Sequence, residues 1–154
     1  MWQKKPLLPK SQMIARLDFP TIRVKKSDRI LTMNLYRNAH WGSLAKAKKD
    51  YAKHISKFIE SVPVYTGKIS IHYTLFFGNK RKKDVDNLTY PIHKFMCDEL
   101  TNHGKIDDDD VSVLIGFSSF FGGYDEEDYV MVEIVEEEDN GDQDGEGERS
   151  DRKD

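Results

Sequence analysis

Residues 68–77 read KISIHYTLFF and carry the clearest β-strand pattern in the chain. Successive side chains of a strand point to opposite faces, so one face of this segment is apolar throughout. The side chains on that face are Ile69, Ile71, Tyr73, Leu75 and Phe77. We expect this face to lie in the core of a β-sheet.

The segment beyond this strand and its basic loop has helical periodicity. Its apolar positions recur every three or four residues, as on one face of a helix: Leu88, Ile92, Phe95, Met96 and Leu100. We expect the helix to begin near Leu88, with Asp86 or Asn87 as its N-cap and Pro91 in its first turn. Gly104 is the natural residue just past its C-terminal end.

A longer helix is predicted upstream, over residues 43–62. Ser43 is a suitable cap for its N-terminus. Its expected buried face consists of Leu44, Lys48, Tyr51, Ile55, Phe58, Ile59 and Val62. Before it, residues 21–26 read as a strand and residues 30–35 as a further apolar stretch, and a polar loop over 34–41 leads into the helix.

Together with predicted strands at 111–121 and 129–135, these elements predict an α+β fold. We expect a small mixed or antiparallel sheet of three to four strands, packed with two main helices. The 154 residues then divide into a basic N-terminal extension (1–18), one domain (19–135) and an acidic tail (136–154). The tail has no apolar residue to bury, so we expect it to be disordered.

The net charge of −3 conceals strong segregation of charge along the chain. Residues 1–53 carry thirteen Lys and Arg against three acidic residues, a net of +10. Residues 136–154 carry ten acidic against three basic residues, a net of −7. A basic region attracts a polyanion, and clustered carboxylates attract a cation. This pattern favours a protein that handles a polyanion.

Cysteine content and hydropathy bear on the compartment. Cys97 is the single cysteine, so an intrachain disulfide is excluded and a cytoplasmic setting fits. The basic N-terminus has no apolar segment typical of a signal peptide, and no stretch is long and apolar enough to cross a bilayer. We therefore expect an intracellular protein that does not enter the membrane.

Two acidic clusters bracket the second predicted helix. Asp84 and Asp86 precede it, and the run DDDD at 107–110 follows it. Carboxylates a few ångströms apart repel by roughly 1–4 kcal/mol per pair, so we expect both clusters to border one pocket around a cation. Hard oxygen ligands favour Mg²⁺, with Mn²⁺ as a substitute. The alternative is that Asp86 and Asn87 only cap the helix and the aspartate run is a polar loop.

Lys94 lies on the polar face of the same helix, four residues before Asp98. The two residues could form an ordinary i,i+4 ion pair. If the acidic clusters form a phosphoryl-transfer site, Lys94 could instead face the scissile phosphate of the substrate and stabilise the transition state of its cleavage. The local sequence favours neither role over the other.

Two further groups of cations accompany these residues. The longer helix carries a stripe of lysines on a face other than its apolar one: Lys46, Lys49, Lys53 and Lys57. The loop directly before Asp84 is Lys80, Arg81, Lys82 and Lys83. The stripe is either a solvated helix surface or a ridge that follows nucleic-acid phosphates, and the charge of residues 1–53 favours the ridge.

Four short motifs follow one another in this region: DVDNL at 84–88, KxxxDEL at 94–100, GKI at 104–106 and DDDDV at 107–111. In this order they resemble the RusA family of Holliday junction resolvases. The segment LTMNLYRNAHW at 31–41 also looks like that of phage-type members, and the resemblance spans about residues 30–135.

The resemblance implies that Asp84 and Asp86 are the first two catalytic carboxylates. Lys94 matches the functional lysine of the family when it is aligned from Asp98. It lies four residues farther from Asp86 than in shorter members. Four residues are close to one helical turn, so Lys94 keeps nearly the same face but moves about 6 Å along the helix.

The third catalytic carboxylate of the family has four candidates here, at 107–110. Counting from Gly104 favours Asp108 and Asp109. Counting back from Val111 favours Asp108 and the residue before it. Asp108 satisfies both counts.

The resemblance thus implies a Mg²⁺-dependent endonuclease that cuts branched DNA, such as a four-way junction, as a homodimer. Asp84, Asp86, Asp108 and Asp109 would hold the metal, while Arg37, the lysine stripe and the basic loop would contact DNA. Three alternatives stay open: a non-catalytic branched-DNA-binding protein, a nuclease that prefers flaps or forks, and an interaction protein that acts through its acidic tail.

Overall fold

The computed structural model of the protein describes residues 12–108 and 112–137, and this part of the chain contains six strands and three helices. In chain order these are β1 (Gln12–Leu17), β2 (Thr21–Val24), β3 (Ser27–Ile30), α1 (Met33–Asn38), α2 (Trp41–Ser61), β4 (Ile69–Phe77), α3 (Val85–Asn102), β5 (Leu114–Tyr124) and β6 (Tyr129–Glu136). Each predicted helix and strand has a counterpart, with shifted bounds.

Four strands form one mixed sheet in the order β1–β6–β4–β5. β6 is antiparallel to both β1 and β4, whereas β4 and β5 are parallel. β2 and β3 form a separate antiparallel hairpin. The prediction of an α+β fold with a small mixed sheet is therefore confirmed.

The apolar face of β4 lies in the core, as its alternation predicts. Its five inward side chains are fully buried, with 0 % of their surface exposed: Ile69, Ile71, Tyr73, Leu75 and Phe77. Val130, Val132 and Ile134 of β6 belong to the same core. A fully buried aliphatic or aromatic side chain contributes roughly 1.5–3 kcal/mol relative to an exposed one, so these two strands supply much of the stabilising burial.

Helix α2 buries the face that its periodicity indicates, including Tyr51, Ile55 and Ile59. Its start differs from the prediction. The N-cap is His40, whose Nδ1 accepts a hydrogen bond from the Gly42 N–H at 3.1 Å, and not Ser43. His40, in an extended conformation, is thus the N-cap that was predicted at Ser43, three residues later.

The segment before α2 is also more regular than predicted. Thr32 caps α1 by accepting a hydrogen bond from the Leu35 N–H at 3.1 Å, so the polar loop predicted over 34–41 is largely helical. The turn of the β2–β3 hairpin contains Lys25, which has a positive φ of 57°. Ser27 is the first residue of β3.

Helix α3 begins three residues before the predicted Leu88. Asp84 is its N-cap, and the Asp84 side chain accepts a hydrogen bond from the Asn87 N–H at 3.3 Å. Pro91 consequently lies inside the helix instead of in its first turn, where it has no N–H to donate to the Asn87 carbonyl. Burial of Pro91 together with Leu88 and Ile92 compensates for that loss.

Gly104 follows the C-cap of α3 as predicted. Its φ is +67°, in the left-handed region that glycine adopts without steric cost. Its N–H donates to the Thr101 carbonyl at 3.0 Å, and the Lys105 N–H donates to the Leu100 carbonyl at 2.9 Å. These bonds end the helix and turn the chain toward β5.

The predicted N-terminal extension is wrong for residues 12–17. They form β1, which pairs with β6 from Gln12 opposite Val135 to Leu17 opposite Val130. Met13 and Leu17 both pack toward the core, and their spacing in the sequence fits a strand. The prediction of an extension gave more weight to the basic charge of the region. Residues 1–11 lie outside the described residues.

At the other end, β6 continues to Glu136, and the Glu137 N–H donates to the Lys68 carbonyl at 2.7 Å. Residues 136 and 137 therefore belong to the fold and not to the predicted acidic tail. The prediction of disorder concerns residues 138–154, which lie outside the described residues. Within the described part of the chain, no helix combines the length and the apolar character needed to span a bilayer.

Candidate functional site

Asp84 and Asp86 lie at the N-terminal end of α3, at the end of the sheet where β4 finishes. Both residues are exposed. The Asp84 side chain caps the helix through Asn87, and Asp86 lies in its first turn. The partial positive charge of a helix N-terminus stabilises carboxylates there. These two acidic residues are thus held at the surface without needing a cation.

The basic loop between β4 and α3 is adjacent to this pair. Lys80, Arg81 and Lys82 are exposed, as phosphate contacts require. Lys83 is not free in the same way, because its Nζ donates to Asn79 Oδ1 at 2.6 Å and to the Arg81 carbonyl at 3.1 Å. Three of the four predicted cations therefore face solvent beside the acidic pair, and the fourth stabilises the loop.

The second acidic cluster lies at the opposite end of α3. The helix has 18 residues and is about 27 Å long. Asp84 is its N-cap, whereas Asp107 and Asp108 follow its C-cap, His103. The parallel pairing of β4 and β5 is the cause, since α3 must return the chain to the other end of the sheet before β5 can begin.

Backbone hydrogen bonds hold this segment at the C-terminal end of α3. The Lys105 N–H donates to the Leu100 carbonyl, and the Tyr65 N–H donates to the Lys105 carbonyl at 2.8 Å. Three residues span at most about 10 Å, so Asp108 stays more than about 10 Å from Asp84. The prediction that both clusters border one pocket within a single chain is wrong for Asp108.

Asp109 and Asp110 lie outside the described residues, so the prediction that Asp109 ligates a metal falls there. Among residues 12–108 and 112–137, no three histidine, cysteine or carboxylate side chains are grouped so that they could hold a metal ion. Asp84 and Asp86 remain as two candidate ligands on one chain.

Lys94 is exposed on α3, eight residues and about 12 Å along the axis from Asp86. The i,i+4 ion pair with Asp98, one of the two roles that the sequence left open for Lys94, does not form. Asp98 Oδ2 instead lies 2.7 Å from Lys48 Nζ, and this ion pair joins α2 to α3. Lys48, which interrupts the apolar stripe of α2, thus has a partner on the neighbouring helix.

The lysine stripe of α2 is exposed, as both of its predicted roles require: Lys46, Lys49, Lys53 and Lys57. Lys46 Nζ lies 2.8 Å from Asp50 Oδ2, and this hydrogen bond raises the pKa of Lys46 and lowers that of Asp50. The other three lysines make no ion pair within the described part of the chain. Arg37, in the last turn of α1, is likewise exposed.

A cavity of about 410 Å³ lies between α2 and the segment that joins β1 to β2. Asp18, Asp50 and His54 are among its lining residues. The polar groups here serve the fold, because His54 Nε2 accepts the Asp18 N–H at 2.9 Å and the Tyr51 hydroxyl donates to the Asp18 carbonyl at 2.8 Å. Neither of the two candidate metal ligands lines this cavity.

A set of exposed aromatic residues on β5 was not predicted from the sequence. These residues, which we call the β5 aromatic set, are Phe117, Phe120, Phe121 and Tyr124, each about half exposed. Lys80 of the basic loop lies over the Tyr124 ring, 5.7 Å from its centroid. A signal was present: Phe120 and Phe121 are consecutive, so they point to opposite faces of the sheet and cannot share one side of it.

A second missed contact lies between α3 and β4. The fully buried Tyr73 hydroxyl lies 2.8 Å from His93 Nδ1, and the His93 ring stacks on Phe117 with centroids 3.9 Å apart. Burial lowers the pKa of His93 to about 4, so the imidazole is neutral near pH 7. Burial likewise raises the pKa of Tyr73 well above its usual value.

These positions can be set beside known proteins. No protein-family model and no curated protein matches this chain. The resemblance to the RusA family therefore stays a prediction that depends on the motifs and their order.

Proposed function

We propose that the protein is a metal-dependent endonuclease that cuts branched DNA, of the RusA type that its motifs resemble. The observation that supports this proposal most is the surface at the N-terminal end of α3. There Asp84 and Asp86 are exposed, and the exposed Lys80, Arg81 and Lys82 precede them by two to six residues in the chain. Such a surface can bind a phosphate and a divalent cation at the same time.

The donor atoms at this end of α3 suit Mg²⁺. In phosphoryl-transfer sites Mg²⁺ is often held by one or two carboxylates, with substrate phosphates and water completing its shell. Asp84 uses Oδ1 for the Asn87 N–H and keeps Oδ2 for a ligand, while Asp86 is exposed. The ion would activate a water molecule and offset charge on the scissile phosphate.

The chain's own residues would bind and orient the DNA. The exposed cations of the basic loop would contact the phosphates that flank the scissile bond. The lysine stripe and Arg37 would contact phosphates of more distant DNA arms. Lys94 would contact a phosphate along the exposed face of α3. Because these contacts are electrostatic, affinity should fall steeply as the salt concentration rises.

The proposed nuclease is a homodimer with a RusA-like fold. Asp107 or Asp108 could join Asp84 and Asp86 only if it came from another copy, because α3 separates the two ends within one chain. Two copies related by a two-fold axis could exchange such ligands reciprocally.

Nicking of a synthetic four-way DNA junction in the presence of Mg²⁺ tests the nuclease. Asp84→Asn is a sharp variant because asparagine caps a helix about as well as aspartate, so the fold is kept while the ligand charge is lost. Asp86→Asn is its companion, and Asp28→Asn, at an exposed carboxylate on β3, is the matched control.

We expect both α3 variants to bind the junction in a gel-shift assay but to lose cleavage, and the control to cleave like the natural chain. Equal cleavage by the natural chain, Asp84→Asn and Asp86→Asn would rule out the metal site. A parallel panel of flap and fork substrates would show whether either is cut faster than the junction.

A non-catalytic branched-DNA-binding protein is the second candidate. The capping role of Asp84 favours it, as does the lack of a three-ligand metal group among the described residues. It predicts salt-sensitive binding of the junction without cleavage in either Mg²⁺ or Mn²⁺.

A further inference from the structure

β5 is an edge strand of the sheet and is 11 residues long. Its outer backbone groups have no strand partner among the described residues. An unpaired edge offers a ready template for another strand, and proteins usually block it with charges, proline or a short length. β5 has none of these devices, since LIGFSSFFGGY contains no charged residue and no proline.

The opposite edge of the sheet shows the contrast. β1 has six residues and carries Arg16, whose guanidinium lies 3.5 Å from Glu127 and stacks over the Tyr129 ring. That edge is short and charged, as solvent-facing edges usually are. The exposed edge with the features of an interface is therefore β5.

The sequence of β5 is self-complementary around Ser119. If a second β5 pairs with it antiparallel, with Ser119 opposite Ser119, then Phe117 lies opposite Phe121 on one face, and Gly116 lies opposite Gly122 on the other. Residues 116–121 also form the stretch of β5 that pairs regularly with β4, between two register shifts. The centre of the pairing would thus be straight, and no like charges would meet.

The apolar surface available on β5 approaches the lower limit for a specific dimer interface. Five side chains on β5 are 46–59 % exposed: Ile115, Phe117, Phe120, Phe121 and Tyr124. Covering half of a large apolar side chain buries on the order of 100 Å². Complete coverage of these side chains in two copies would bury at most roughly 1,000 Å², near the lower limit for a specific interface.

We propose that two copies of this chain associate through antiparallel pairing of their β5 strands about Ser119, which joins the two sheets into one of eight strands. This deepens the homodimer of the proposed function but does not depend on nuclease activity. The pairing lays the first residues of the partner's β5 beside the last residues of this β5. That is the end of the sheet where Asp84 lies.

The first test is the mass in solution by light scattering during size-exclusion chromatography. We expect about twice the 17.9 kDa of one chain. Phe120→Asp, at a side chain 59 % exposed, should keep the circular-dichroism spectrum and weaken dimerisation by roughly tenfold or more. Trp41→Asp is the matched control, since it removes an aromatic side chain 78 % exposed on α2 and should leave the mass unchanged.

The second test is disulfide cross-linking in a Cys97→Ala background. Opposed residues of antiparallel strands have Cα atoms about 4.5–5.5 Å apart, which a disulfide can bridge. Ser119→Cys should therefore cross-link two chains on mild oxidation. Ser27→Cys, exposed in the β2–β3 hairpin, should not.

A monomer at the highest soluble concentration would overturn the proposal. So would a dimer in which Ser119→Cys cross-links no more than Ser27→Cys, because the interface would then lie elsewhere. A dimer that cross-links at Ser119 but cuts no DNA would support this interface and contradict only the nuclease.

Discussion

The two ends of α3 carry similar acidic sequences in opposite electrostatic settings. At the N-terminal end, Asp84 and Asp86 lie where the helix dipole stabilises negative charge, next to an exposed cationic loop. At the C-terminal end, Asp107 and Asp108 follow a helix terminus whose carbonyl groups carry partial negative charge. The helix dipole thus stabilises negative charge at the first pair and disfavours it at the opposite terminus.

This contrast shows that a run of acidic residues does not by itself define a metal site. The first cluster already has a structural role, since Asp84 caps α3. The other oxygen of Asp84 and the exposed Asp86 are the groups to which the proposed function assigns the ion.

The largest expected effect separates the two roles of the first cluster. Asp84→Asn and Asp86→Asn should each lower the rate of junction nicking by roughly 100-fold or more, because ligands to a catalytic ion contribute several kcal/mol. Single-turnover nicking with excess protein is the measurement. A loss confined to junction binding, with the nicking rate of bound DNA unchanged, would assign these residues to DNA contact only.

His93, midway along α3, should make the fold sensitive to acid. Its pKa is lowered from 6.5 to about 4 by burial, so between those values the unfolded chain binds a proton that the folded chain does not. The free energy of unfolding should therefore fall as the pH drops from about 6.5 to about 4, by about 1–3 kcal/mol. Urea unfolding of the natural chain and His93→Gln at several pH values measures this difference, which should be absent from the variant.

The cap at the N-terminal end can be separated from its charge. Asp84→Ala should lower the free energy of unfolding by about 1 kcal/mol because the bond to the Asn87 N–H is lost, whereas Asp84→Asn should change it little. Thermal and urea unfolding of the two variants provide the comparison. Equal stability of Asp84→Ala and the natural chain would show that the cap is dispensable.

The smallest effect concerns the lysines around α3. Lys48→Met should cost up to about 1 kcal/mol, because the ion pair with Asp98 is partly shielded from solvent. Lys94→Met, at an exposed position on the same helix, should leave the stability nearly unchanged. If Lys48→Met and Lys94→Met lowered the free energy of unfolding equally, the ion pair between Lys48 and Asp98 would contribute no measurable stability.

The sequence predicts the fold well where the periodicity is unambiguous. The alternation of residues 68–77 and the apolar face of α3 indicate both their elements and their buried sides, because burial in a two-layer fold imposes those periods. The first residues of the helices were predicted less accurately. His40 and Asp84 cap their helices through side-chain hydrogen bonds that depend on local conformation, and Ser43 and Asp86 were equally plausible caps from composition.

The candidate site was predictable only in part. The placement of Asp84 and Asp86 beside a basic loop follows from their spacing along the chain. The distance between the two acidic clusters depends on whether β4 and β5 are parallel or antiparallel, which the sequence of either strand does not specify. The exposure of Phe117 and Phe121 likewise depends on β5 being an edge strand.

The most direct test of a site shared between copies is complementation between two inactive variants. If Asp84 of one copy acts with Asp108 of the other, a mixed dimer of Asp84→Asn and Asp108→Asn chains contains one intact site. We expect each variant alone to be inactive and an equal, re-equilibrated mixture to regain about one quarter of the natural nicking sites. A mixture as inactive as its two components, with mixed dimers demonstrably formed, would contradict a shared site.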